Sequence, residues 1–283
     1  MYSGSSAFNM VPMRLLLALV LYLNPAPLAA STQYVQEPQL EACGLWNEAT
    51  HALMDSRLTG KAARERFQAL WKTIKVDDVP SPKVKHWQWM FPLPGYDAGV
   101  FGESYWADEY RFLDGPKAQG FPGLRLYIRD PSRSGLDERT KKPAPVVSAT
   151  DGVVVAAEKF WKDGDPQPMG DYATVLDQQD KLFFTYGHLG RLRVSPGQLV
   201  VKGEVIGWLG RTGRYIQDRH LGTQLRFEVH TFDDGLFYPV YPGRALRVAG
   251  QVAWPVPEGE VRPRIKPPKT PLVNPDEEDD GEN

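Results

Sequence analysis

The sequence predicts a mainly β protein: an antiparallel sheet core with a small N-terminal helical hairpin and a disordered C-terminal tail. Three observations predict it. Three strand-like runs, Pro145 to Trp161, Lys181 to Val194 and Leu225 to Phe232, are rich in Val, Leu, Phe and Tyr. Turn residues punctuate them at short intervals: Ser195-Pro196-Gly197, Lys202-Gly203 and Gly210-Arg211-Thr212-Gly213, with Asp151-Gly152 between two β-branched runs reading as a tight hairpin turn. Residues 38–76 instead place their apolar side chains at helical spacing, and after Trp254 proline is dense and apolar residues sparse.

Taken from the start, Met13-Arg14 and the short apolar run LLLALVLYL are broken by Asn24-Pro25, and Leu28-Ala29-Ala30 offers small residues before Ser31. Residues 1–30 thus have the pattern of a secretory signal peptide. A retained anchor is the alternative, although the run is short for a bilayer span. With Cys43 as the one cysteine in 283 residues, an internal disulfide is excluded. Burial on a helix face or an intermolecular link are the two readings of that thiol.

The helical region, residues 31–84, carries two runs. Leu40, Cys43, Trp46, Ala49, Leu53 and Met54 make one stripe; Ala63, Phe67, Leu70, Trp71 and Ile74 make another, with Thr59 a fair N-cap. Such a hairpin is too small to fold alone and needs the sheet or a partner. The β domain, residues 85–254, opens with an aromatic strand from His86 to Leu93. Val100-Phe101-Gly102 and Leu124 to Ile128 are further short strands, separated by a surface loop. Residues 130–143 form a charged loop. Trp87, Trp89, Phe91 and Tyr96 are either core or a sugar-stacking platform. Residues 255–283 are the tail, and six of its last eight residues are acidic. Taking those six negatives from a formal net charge of −2 leaves +4 for residues 1–275, which is no footprint for duplex nucleic-acid binding.

Four stretches then follow one another. They are Phe91-Pro92-Leu93-Pro94-Gly95-Tyr96; Gly120 to Ile128 (GFPGLRLYI); the block from Ala149-Thr150-Asp151-Gly152-Val153-Val154 through Tyr186-Gly187-His188-Leu189 to Gly197–Gly207 (GQLVVKGEVIG); and Gly222-Thr223-Gln224-Leu225-Arg226-Phe227-Glu228-Val229. In this order the series resembles the β-core of the lysostaphin/LytM-type zinc endopeptidases, over roughly residues 87–232. Members of that family cut short peptide links, typically in bacterial cell-wall peptidoglycan. The resemblance implies a zinc held by a His, by an Asp four residues later and by the second His of a His-Leu-His triplet. The first His of the triplet and the His of the Tyr-x-His-Leu motif act on the water and the transition state. A zinc with three ligands and an open fourth position lowers the pKa of its water and polarises a carbonyl.

At almost all of these positions the chain departs. Phe121 stands where the resemblance implies the first ligand His, and Arg125 where it implies the ligand Asp. Gln224 and Arg226 replace the catalytic and ligand histidines of the triplet, so only His188 remains. Phe has no lone pair, and Arg is a protonated donor with no acceptor. A guanidinium about 4 Å from Zn²⁺, at an effective dielectric of about 20, costs on the order of 8 kcal/mol. Family-type zinc binding and hydrolysis are therefore not expected.

What remains is a candidate groove for an anion or a peptide, lined by Arg125, Arg226, Gln224 and His188, in which two guanidinium groups take a carboxylate. Alternatively Arg226 pairs internally with Glu228 or a nearby Asp. His188 is either a structural histidine or a polar binding contact. A shifted metal site from His188, His220 and His230 is the remaining alternative. The resemblance thus implies an exported, non-catalytic module of the bacterial cell envelope, periplasmic or extracellular, without a cofactor. Its partner would be peptidoglycan or a cell-wall hydrolase, since degenerate LytM-type domains activate cell-wall amidases. The alternative is a working zinc metalloendopeptidase with a rearranged site.

Overall fold

The computed structural model describes residues 33–74, 89–96, 101–102, 111–117, 121–165, 167–217 and 221–251. The signal segment, the acidic tail, Trp87 and His220 lie outside these residues.

Helices α1 (Gln39–Met54) and α2 (Gly60–Ile74) form where the apolar stripes predict them. The stripes are buried: Cys43, Trp46 and Leu53 from α1 meet Ala63, Phe67, Leu70 and Ile74 from α2. Burial pushes the Cys43 thiol up to about 12, so Cys43 behaves as a small core residue.

Ten strands follow. They are β1 (Phe101–Gly102), β2 (Gly123–Tyr127), β3 (Pro145–Val147), β4 (Gly152–Glu158), β5 (Asp171–Asp177), β6 (Leu182–Leu192), β7 (Leu199–Val200), β8 (Val205–Leu209), β9 (Gln224–Asp233) and β10 (Leu236–Pro239), before helix α3 (Gly243–Gln251). They make one antiparallel sheet in the order β1-β2-β9-β6-β5-β4-β7; β10 pairs with the end of β9, and β8 carries β3 off the end of β6. Strand alternation divides the side chains between two faces. Leu225, Phe227 and Val229 of β9 join Phe184, Tyr186 and Val175 in one core with Leu246 of α3 and with Trp89, Phe91 and Leu93. On the other face Tyr172, Leu176 and Phe183 meet the helical hairpin. The Trp46 ring stacks on Phe183, centroids 5.3 Å apart and planes at 9°, and meets Phe67 edge-on at 4.8 Å.

With both faces covered, all seven residues of β5 are buried. The sequence reading lacks this strand, because DYATVLD has neither a one-sided alternation nor a long apolar run. Two expectations are corrected. Asp151-Gly152 is no hairpin turn, since β3 pairs with β8 while β4 pairs with β5 and β7. Instead Asp151 accepts the Lys202 N–H at 2.6 Å, and Gly152 lies so close to the Leu176 carbonyl that a Cβ would collide with it. Of the aromatic strand expected from His86 to Leu93, residues 89–93 are irregular. They are tied to the core by Met90 N–H to the Ala149 carbonyl (2.9 Å) and Val147 N–H to the Pro92 carbonyl (3.0 Å). Their rings are core, with Trp89 and Tyr96 each 9% exposed. Helix α3 lies in a stretch the sequence analysis leaves unassigned; Leu246, Ala249 and Ala245 fall on its core-facing side.

Trp46→Ala should lower the unfolding free energy by about 3–5 kcal/mol, because it removes the ring joining hairpin to sheet. Urea unfolding followed by circular dichroism measures this. A loss below about 1 kcal/mol would show that the hairpin does not depend on the seam.

Candidate functional site

The residues singled out in the sequence come together where β2, β9 and β6 run side by side. Arg125 lies directly opposite Arg226 in the β2–β9 pairing, and Gly187 lies opposite Arg226 on β6. Two guanidinium groups side by side need a reason to stay. Phe121, 5% exposed, supplies part of it: Arg226 lies 4.7 Å and Arg125 4.9 Å from its ring centroid, within cation–π range. Glu228 supplies the rest. Its Oε1 accepts from Nε of Arg226 at 2.5 Å and sits 2.5 Å from the second guanidinium nitrogen, in a pair whose side chains are 11% and 2% exposed. Of the two readings left open for Arg226, the internal pair with Glu228 is the one formed. Gly123 permits the close approach of β2, since a Cβ there would lie 2.5 Å from the Phe227 carbonyl oxygen.

His188 sits at a bulge. Three residues of β5, Asp171 to Ala173, lie against four of β6, Leu189 back to Tyr186. The extra residue puts His188 at φ 65°, a left-handed conformation unusual for a side chain larger than Gly. The bulge is pinned by the His188 N–H to the Met169 carbonyl at 2.7 Å and by the Gly210 N–H to the His188 carbonyl at 2.9 Å. Its Nδ1 lies 2.8 Å from the Thr212 carbonyl, which can only accept, so the ring is the Nδ1–H tautomer. Burial, and then the neighbouring Arg226, press its pKa down to about 3. His188 is therefore a neutral, structurally tied histidine.

Gln224, Arg226, Glu228 and His230 share one face of β9, as strand alternation requires. Gln224 is 2% exposed and its Oε1 has no hydrogen-bond partner among the described residues. His230 packs beside Phe112 and Phe237, and burial lowers its pKa to about 4. Beneath α1 a cavity of about 20 Å³ touches Thr50, Thr185, Glu228 and His230, room for a single water. The sequence reading missed Thr50, Thr185, Thr212 and Met169 around this cluster. No spacing rule brings a helix threonine or a turn carbonyl to a strand 19 to 178 residues away.

These residues do not fit a zinc ion. The three positions hold a benzene ring and two guanidinium groups, which offer no lone pair to a metal and repel a dication. Among the described residues no three His, Cys, Asp or Glu side chains are grouped as ligands.

Residues 131–236 match Peptidase family M23. The similarity to that family covers this segment, which runs from the loop before β3 to the start of β10. The matched stretch contains His188, Gln224 and Arg226, and begins after Phe121 and Arg125. Among curated proteins, the peptidoglycan DD-endopeptidase ShyB of Vibrio cholerae serotype O1 is 33% identical over 96 residues, covering 34% of this chain and 20% of that protein. The chain thus spans about a fifth of the length of this relative. Among solved structures, the catalytic domain of lysostaphin from Staphylococcus simulans is 20% identical, covering 52% of this chain and 91% of that one at a TM-score of 0.35. A zinc-containing peptidase from Vibrio cholerae is 23% identical, covering 52% and 38% at a TM-score of 0.33. No helix among the described residues is long and apolar enough to cross a membrane.

Two measurements test the cluster. Arg226→Ala leaves Glu228 buried and unpaired and should cost about 3–5 kcal/mol, whereas Arg226→Met with Glu228→Gln, which removes both charges, should recover most of it. The histidines set a pH dependence. Each has a folded pKa, about 3 and about 4, below its ordinary 6.5, so its stabilising contribution is complete above 6.5 and is lost as pH falls from there toward 4. Asp171 opposes them: burial raises it from 3.8 to about 6, so its contribution is lost as pH rises through that window. Stability should still rise between pH 4 and 6.5, with a net slope of about one proton, and His188→Asn should nearly flatten it. An unchanged slope in that variant would mean His188 is not buried neutral.

Proposed function

We propose that this chain is a non-catalytic M23-type module of the bacterial cell envelope that binds peptidoglycan or regulates a cell-wall hydrolase. One observation carries the reading. The positions at which the resemblance places zinc ligands are occupied by a closed cluster, Phe121, Arg125 and Arg226, with Arg226 neutralised by Glu228. A guanidinium holds an anion but presents no open coordination position, so it cannot lower the pKa of a water or polarise a carbonyl as a metal does. The substrate class comes from the M23 likeness and from the name of the curated relative, a peptidoglycan endopeptidase. Export comes from the pattern of residues 1–30.

Within the groove, Arg226 is committed to Glu228 and Gln224 is buried, so a bound chain would meet few open polar groups. A carboxylate entering here would compete with Glu228 for Arg226, so affinity at this groove should be modest.

Metal content by mass spectrometry after equilibration with zinc, and digestion of purified sacculi, test the reading together. The expected result is less than a tenth of a zinc per chain and no released fragments, with the protein still sedimenting with sacculi or with an amidase bound to them. One zinc per chain, lost in His188→Asn, would overturn it in favour of a rearranged metalloendopeptidase. As a positive control, Phe121→His, Arg125→Asp, Gln224→His and Arg226→His introduced together should raise zinc content.

A further inference from the structure

A second cleft, of about 1080 Å³, opens between the loop of residues 130–143 and the rim where β6 passes to β8. Arg139, Lys142, Arg191 and Arg211 line it, and no carboxylate does. Phe121, Arg125, His188 and Arg226 are not part of its wall, so it is separate from the groove described above.

The wall is built rather than incidental. Buried Asp130 accepts from the Gly135 N–H at 2.7 Å, the Ser132 hydroxyl at 2.9 Å and the Thr223 hydroxyl at 2.7 Å, which fastens the loop to the start of β9. Burial alone would raise its pKa; those hydrogen bonds hold it below the ordinary carboxylate range. Asp137, its side chain 3% exposed, accepts the N–H groups of Arg139 and Thr140 and the hydroxyl of Tyr96. Arg211 is fixed by donation to the Ile216 carbonyl at 2.7 Å and the Leu221 carbonyl at 3.0 Å. These acids lie behind the wall and offset part of its charge, Asp137 standing 3.5 Å from Arg139. Lys142 and Arg191 face the opening, both exposed, and neither makes an ion pair among the described residues. Arg191 and Arg193 lie over the half-buried Trp208 ring at 5.1 and 5.9 Å.

We infer that this cleft docks an acidic peptide segment of a partner protein, its carboxylates on Lys142 and Arg191 and its apolar side chains against Leu136 and Trp208. Charge complementarity sets the sign of the occupant. The rest of the wall selects a peptide. Stacking of a sugar or a base needs a broad open aromatic face, whereas Trp208 is half-buried and shares its ring with Arg191 and Arg193, leaving contact for small apolar side chains. The wall has no side-chain carboxylate or amide, so its charged groups are all cationic donors that favour a carboxylate over a neutral hydroxyl. Arg binds carboxylates in a bidentate fork, and the apolar residues between the cations suit the alternating side chains of an extended peptide. The inference does not depend on whether the M23 groove binds or cuts the cell wall.

Fluorescence anisotropy of the full chain with a labelled peptide alternating Glu-Glu-Leu tests it. The expected result is saturable binding that weakens with added salt and falls about tenfold or more in the variant Lys142→Glu with Arg191→Glu. Both side chains are exposed, so this variant should fold, and its circular dichroism confirms it. The matched charge change Lys61→Glu with Arg66→Glu, on the exposed side of α2, should alter affinity less than about twofold. Equal losses in the two variants would reduce the effect to net charge and overturn the inference. So would tighter binding of polygalacturonate than of the peptide, or no binding at all. Binding seen only after removal of residues 276–283 would assign the cleft to the chain's own acidic segment and also overturn it.

Discussion

The constraint on which most of this structure depends is that one face of β9 is polar and yet buried. Gln224, Arg226, Glu228 and His230 alternate with Leu225, Phe227 and Val229, as in any half-exposed strand, but a helical hairpin covers part of the polar side. Charges in that position cannot be left to water. Removing one partner of such a pair strands the other in a low-dielectric setting, a penalty of several kcal/mol. Arg226 must therefore meet Glu228, and both histidines must stay neutral. Arg125, facing Arg226 across the sheet, is accommodated by the same Phe121 ring that Arg226 covers.

That constraint is created by the hairpin. A LytM-like sheet with an open face would leave the stripe hydrated, and its charges would be worth little. Here Trp46 reaches across to Phe183, and Thr50 of the same helix approaches Glu228 and His230 through a cavity of about 20 Å³. The helices and the polar cluster are thus coupled: moving the hairpin exposes Glu228, and changing the charges of β9 alters what the hairpin packs against. The bulge at His188 belongs to the same arrangement. It turns β6 from the main sheet toward β8, ties the ring to the Thr212 carbonyl and leaves no proton to exchange near neutral pH.

Sequence reasoning reached the parts of this that have a period or a motif. The hairpin announced itself through stripes ending at Met54 and Ile74, and the β-core through Ala149–Val154, Tyr186–Leu189 and Gly197–Gly207 in series. Phe121, Arg125, Gln224 and Arg226 were singled out by the resemblance, and the β2–β9 pairing brings Arg125 and Arg226 together. What escaped had no local signature. DYATVLD is buried on both faces, so it lacks the alternation that marks a strand. Asp151-Gly152 has the chemistry of a hairpin turn, but partner choice is tertiary and β3 left for β8. The covering of the polar face was invisible because nothing in α1 names the strand it will lie on. That covering decided between the two readings of Arg226.

The cluster also preserves something of the site it resembles. A zinc with one ligand carboxylate and neutral histidines carries a local charge of +1. Arg125 and Arg226 with Glu228 carry the same sum. The electrostatic demand on the surrounding sheet is thus comparable, which gives a physical reason why the fold tolerates the exchange. Equal charge does not mean equal chemistry. A metal concentrates two charges on one ion with an exchangeable water, whereas guanidinium groups spread one charge each over a plane of fixed donors. Donors of that kind recognise a carboxylate; they do not generate a nucleophile. A cluster of fixed donors carrying a net positive charge is suited to holding an anion in place.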